Sequence, residues 1–197
     1  MSCAVGWPGR IAGQDGGAGC GNRPSSASHR ALIERAGRFA DRLSINIELP
    51  SEASLTKLAP EKSLTSIRRS MGRLRHTIAE RHAARKESRK APRFAPAGQS
   101  TQLIVGADAS TDLDILNLSG GLYGGYQLKR VYYSGFSPIP DASAVLPLKS
   151  PPLAREHRLY QADWLYRCYG FTLEEIAAGT ADGMLPLDID PKLAWAL

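Results

Sequence analysis

Asn46 and Glu48 stand two residues apart in the run 44–49, where Ile45, Ile47 and Leu49 take the alternate positions. Side chains in a strand point to opposite faces in turn. If the three apolar residues lie under helices, the carboxamide and the carboxylate share the other face near the strand's C-terminal end. Such groups hold a ligand hydroxyl, amine or ribose. The alternative is an edge strand with both side chains in solvent. A second candidate is Gly106, which closes an apolar strand running through Gln102. Glycine lets a ligand come close to the backbone, and a plain turn would use it equally well. On a third strand Tyr133 and Ser134 have opposite parity, so one of them shares the face of Asn46 and the other does not.

Charge offers a different chemistry. Residues 57–93 hold 12 basic and 3 acidic side chains, a balance of +9, whereas residues 98–197 hold 7 and 11, a balance of −4. The positive charge is therefore a local feature. Its densest part, residues 81–93, contains Arg85, Lys86, Arg89, Lys90 and Arg93. Clustered cations neutralise the phosphates of DNA or another nucleic acid, and they also occur as solvated surface runs. Phe94 is a single aromatic beside them, too little for a base-stacking platform. His157 lies among charged residues and reads as a surface histidine. No P-loop, dinucleotide-binding glycine turn, HExxH site or nucleophile elbow is present.

The elements that must position these groups alternate in type. Residues 1–28 are rich in Gly, Ser and Pro and read as a disordered leader. A helix is predicted over 29–43, with Leu32, Ile33, Ala36, Phe39, Ala40 and Leu43 on one stripe. The strand 44–49 follows. Leu64, Ile67, Met71, Leu74 and Ile78 recur at helical spacing, opening a basic helix and arm over 64–95. Strands are predicted at 101–106 and 129–136, with an amphipathic segment between them. That order is a β-α-β unit with parallel strands. A proline-rich loop leads to helices over 153–197. In the first of these, Leu153, Tyr160, Trp164 and Cys168 form a stripe, and Tyr160 and Trp164 read as core. Thr172 and Asp190 are N-caps, with Pro191 at the first helical position. The fold class is α/β, a partial (β/α) barrel fragment with about three parallel strands.

The chain's 197 residues are 43% hydrophobic, enough for a core. No apolar run reaches the roughly 18 residues a membrane span requires, and no secretory h-region opens the chain. Three scattered cysteines (Cys3, Cys20 and Cys168) form no disulfide framework, which sets a reducing, cytoplasmic expectation without membrane partners.

From about residue 31 to 197 the chain resembles a family of radical S-adenosylmethionine proteins associated with DNA modification or repair. The resemblance is carried by LIERAGRFADRLSINIELPSEASLTKLAPEK, RKAPRFAPAGQSTQLIVGA, LKRVYYSGFSPIPDAS, REHRLYQADWLYRCYGF and LPLDIDPKLAWAL. It implies a six-stranded partial barrel that binds a [4Fe–4S] cluster and S-adenosylmethionine, with residues 29–197 forming its C-terminal part. It implies S-adenosylmethionine contacts at Asn46, Glu48, Gln102 and Gly106. It also implies a DNA-binding helix-hairpin-helix after the barrel. Two departures stand out. The family's CxxxCxxC loop, which brings three thiolates to three irons, is absent from the sequence, so a cluster is not expected on this chain alone. Asp108 and Ser110 stand where related barrels carry a Glu. The expectation is a fragment of such an enzyme, inactive without an N-terminal half-barrel. The alternatives are a non-catalytic nucleic-acid-binding half-barrel using the arm 81–93, or a non-functional truncated gene product.

Overall fold

The computed structural model describes residues 26–138 and 146–197; the leader 1–25 and part of the proline-rich loop lie outside them. Three parallel strands, β1 (Leu43–Ser44), β2 (Gln99–Val105) and β3 (Arg130–Gly135), lie side by side in that order. Helices α2 (Glu52–Leu58) and α3 (Leu64–Glu87) connect β1 to β2, and α4 (Asp112–Tyr126) connects β2 to β3. Before the sheet comes α1 (Ser26–Phe39). After it come α5 (Leu153–Tyr169), α6 (Leu173–Ala178) and α7 (Pro191–Ala196). The protein is thus mixed α/β with a parallel sheet.

The local chemistry sets these limits. Ser51 and Ser63 cap α2 and α3 with their hydroxyls, and Thr111 with Asp114 and Thr172 with Glu175 form capping boxes at α4 and α6. Gly170, at φ 76°, stops α5 in the left-handed region that suits glycine.

One face of the sheet carries the core. Leu103 and Val105 on β2 and Val131 and Tyr133 on β3 are buried in one cluster with Met71 of α3, Ile115 and Leu122 of α4, and Leu159 and Ala162 of α5. Each of the Leu, Val, Ile and Met side chains contributes about 1.5–3 kcal/mol on burial. The other face presents Gln102, Ile104, Arg130, Tyr132 and Ser134, all half-buried. The Tyr133/Ser134 alternative is therefore resolved: Tyr133 lies beneath the helices and Ser134 on the open face.

Several expectations are corrected. The strand predicted over 44–49 pairs regularly only at Leu43 and Ser44, then breaks and touches β2 again at Glu48. Helix α1 starts at Ser26, inside the segment expected to be disordered, and ends at Phe39. It packs through Ile33 and Ala36, with Ala40 just past its end, and leaves Leu32 and Phe39 exposed, while Leu43 belongs to β1. On α5 the buried positions are Leu159, Ala162, Asp163 and Leu165, so the stripe of Leu153, Trp164 and Cys168 faces outward. The buried edge and sheet face admit the smaller and hydrogen-bonding side chains of α5, which a count of apolar residues overlooks. Helix α3 keeps its predicted stripe and runs on to Glu87.

Candidate functional site

At β1 the ladder slips. Ser44 pairs with Ser100 and Glu48 with Leu103, so β1 advances four residues while β2 advances three. The extra residue makes a bulge. Thr101 Oγ1 accepts the displaced N–H of Ile47 at 2.9 Å, and the ladder resumes with Glu48 N–H to Gln102 O at 3.1 Å. Glu48 itself has φ 67°, and Leu49 N–H reaches back over it to Ile47 O at 2.9 Å, forming a γ-turn. A non-glycine residue held there costs on the order of 1 kcal/mol or more.

Ile47 and Leu49 are buried with Leu103 and Val105, as expected, but the bulge and the left-handed φ take Glu48 out of a regular strand position. Glu48 takes register with Leu103, a residue of the helix-covered face, and its carboxylate meets Lys62 Nζ at 3.0 Å in the turn before α3. Asn46 Oδ1 accepts from the Ser44 hydroxyl at 2.9 Å and stays on the side of Ser44. Gly106 is also accounted for within the chain. Its φ of 79° requires glycine, and an added Cβ would lie 2.9 Å from Pro151 Cγ. Asp108 accepts from the Ser110 N–H and hydroxyl in the turn that leads to α4.

The open face is thus lined by Asn46, Gln102, Ile104, Tyr132 and Ser134, with cations at its N-terminal end. Arg42 Nη1 donates to the Tyr132 hydroxyl at 3.2 Å, and the Arg130 guanidinium lies 5.0 Å from the centre of the Tyr132 ring. Among the described residues, none hydrogen-bonds the Gln102 side chain.

The two edges of the sheet differ. β3 is closed by side chains. The Val131 N–H donates to Tyr123 OH at 3.0 Å, and the Gly135 N–H donates to Glu156 Oε2 at 2.9 Å. Between them Tyr160 OH accepts the Tyr133 N–H and donates to its carbonyl, both at 3.0 Å. Asp163, buried on α5, accepts from Tyr123 OH at 2.5 Å and Tyr133 OH at 3.3 Å and pairs with Arg167 at 2.7 Å. Burial, and then the Asp163 charge, pushes both phenols up from the usual tyrosine range. At the opposite edge β1 has no strand beside it among the described residues, and Ser44 faces outward from β2. Nothing in the sequence pattern marked Tyr123, Tyr160 and Glu156 as edge caps, because they come from two different helices.

In the basic arm, Arg85 Nη1 donates to Arg89 O at 3.1 Å and Ala91 O at 2.6 Å, folding the turn after α3. Lys86, Arg89, Lys90 and Arg93 remain exposed around it. Phe94 is 3% exposed and packs against Gly37 of α1, so it is core. Among the described residues no cluster of three or more His, Cys, Asp or Glu could hold a metal, and no helix is long and apolar enough to cross a membrane. Cys168 stands alone and exposed on α5. These residues do not fit an iron–sulfur cluster, which needs three converging thiolates. No family model, curated protein or solved structure in the comparisons matches the chain.

Proposed function

We propose that this chain is the C-terminal part of a radical S-adenosylmethionine-type partial barrel, taking an adenosyl ligand on the open face of its sheet and lacking its own cluster site. The observation that supports this reading is the asymmetry of the sheet. Helices cover one face, β3 is sealed by side chains, and β1 offers an outward edge where further strands of a barrel would pair. On the open face Asn46, Gln102 and Ser134 present amide and hydroxyl groups suited to ribose hydroxyls and an amine. When bound, S-adenosylmethionine would supply a cleavable sulfonium. Because the described residues do not fit a cluster, no reaction step is assigned to this chain. Glu48 and Gly106, already engaged by Lys62 and Pro151, have no part in the proposed contact. Calorimetric titration of the full chain with S-adenosylmethionine tests the reading. Gln102→Ala should weaken binding about tenfold, the equivalent of one hydrogen bond of roughly 1.4 kcal/mol. Unchanged affinity in Gln102→Ala and Asn46→Ala, or no binding at millimolar ligand, would defeat it.

A second reading, that the arm contacts DNA or RNA phosphates, is favoured by the exposure of Lys86, Arg89, Lys90 and Arg93 around the turn that Arg85 holds. Reversing Lys86, Arg89 and Lys90 to Glu should abolish binding to an oligonucleotide at low salt. Binding that survives those reversals argues against it.

A further inference from the structure

A groove of about 460 Å³ runs between α5 and α7, walled by Arg130, Tyr160, Trp164, Tyr169, Pro191 and Lys192. We infer that it binds single-stranded nucleic acid, with bases stacked on Trp164 and Tyr169 and the backbone phosphates met by Arg130 and Lys192. Both rings are unusually open for large aromatics, Trp164 at 52% and Tyr169 at 66% exposure. They are five residues apart on α5, roughly 7.5 Å along its axis and about 140° around it, so each ring offers its own platform for one base. Stacking on aromatic side chains is tolerant of sequence, and cations beside them track the backbone.

The cationic wall is fixed in place. The Arg130 guanidinium lies over the rings of Tyr132 and Tyr160 at 5.0 and 5.6 Å. Its Nε is buried without an acceptor, a donor left free on a guanidinium otherwise held by packing. Tyr160 cannot swing away, because its hydroxyl is held by the Tyr133 backbone. Asp190 also lines the groove and caps α7, its Oδ1 accepting from the N–H groups of Lys192 and Leu193 at 3.0 and 3.1 Å. Two cations, Arg130 and Lys192, against the single carboxylate of Asp190 and beside three aromatic rings favour an anionic, ring-bearing ligand over an apolar peptide. The groove shares Arg130 with the open sheet face but none of its other lining residues, and none with the arm at 81–93, so it stands independently of the barrel reading.

The probe is a fluorescein-labelled hexathymidylate, titrated with the full chain and followed by anisotropy at two salt concentrations. Trp164→Ala and Tyr169→Ala should each weaken binding about tenfold, within the range of one lost stacking contact. Neither should alter the thermal midpoint or the salt slope, and Trp164→Phe should restore most of the affinity. Lys192→Ala should make the slope shallower by about one phosphate contact. Equal affinity in Trp164→Ala and Tyr169→Ala overturns the inference, as does no binding by the unmodified chain. Loss confined to charge reversals at Lys86, Arg89 and Lys90 overturns it too, and assigns binding to the arm.

Discussion

Replacing Tyr160 with Phe removes one oxygen and leaves a β-strand edge half-open. That hydroxyl takes the Tyr133 N–H and gives its proton to the Tyr133 carbonyl, each at 3.0 Å. The edge-to-face contact of the two rings, 5.1 Å between centroids, would survive the change. The cost is then two hydrogen bonds at about 0.5–1.5 kcal/mol each, with a further desolvation penalty because the backbone groups are left poorly hydrated, so about 2–3 kcal/mol is expected. For a domain of this size, 1 kcal/mol moves the melting midpoint by about 2–4 °C, giving a fall of roughly 4–12 °C. Circular dichroism melts and urea midpoints measure it. Exchange of the Tyr133 amide should accelerate together with the loss of stability. An unchanged midpoint with an unchanged Tyr133 exchange rate would refute the idea that this hydroxyl closes the edge.

Other outcomes follow from the same contacts. Asp112, fully buried, pairs with Arg155 at 2.7 Å and accepts the Leu185 N–H at 3.0 Å. Asp112→Ala strands a guanidinium and should cost about 3–5 kcal/mol in urea unfolding, with Asp112→Asn costing less. Gly106→Ala meets both a left-handed φ and Pro151 and should lose about 1–2 kcal/mol, which a thermal melt would detect. Tyr123 and Tyr133 hold their protons more tightly when folded than the roughly pH 10 phenol of an unfolded chain. Above about pH 10 the unfolded chain releases protons that the folded one keeps, so stability should decline as pH rises. Alkaline titration of the urea midpoint checks this, and Tyr123→Phe should make the decline shallower.

The sheet was legible where packing follows a simple period. The β-α-β unit around β2 and β3 and the stripe of α3 could be read from the spacing of apolar residues alone, because one face of each is buried. β1 was not. The strict alternation of residues 44–49 carries no mark of the bulge, which depends on Thr101 Oγ1 standing ready on the neighbouring strand. Ile47 and Leu49 were rightly placed under the helices, but the slip and the left-handed φ that carry Glu48 to Lys62 left no trace in the pattern. The stripe through Trp164 misled for a related reason. The buried side of α5 includes Asp163, whose carboxylate is matched by two phenols from α4 and β3 and by Arg167 one turn further along α5. Only the assembled fold reveals that match. Gly106 was legible as a special backbone position, and what fills the space beside it was not.

Hydrogen exchange resolved along the two sheet edges tests the asymmetry on which the half-barrel reading rests. In the chain alone, the amides of Val131, Tyr133 and Gly135 should be protected by their side-chain acceptors, and the outward amide of Ser44 should exchange close to the unprotected rate. Protection at Ser44 equal to that at Tyr133 would mean that the β1 edge is already covered, and would contradict a sheet waiting for further strands.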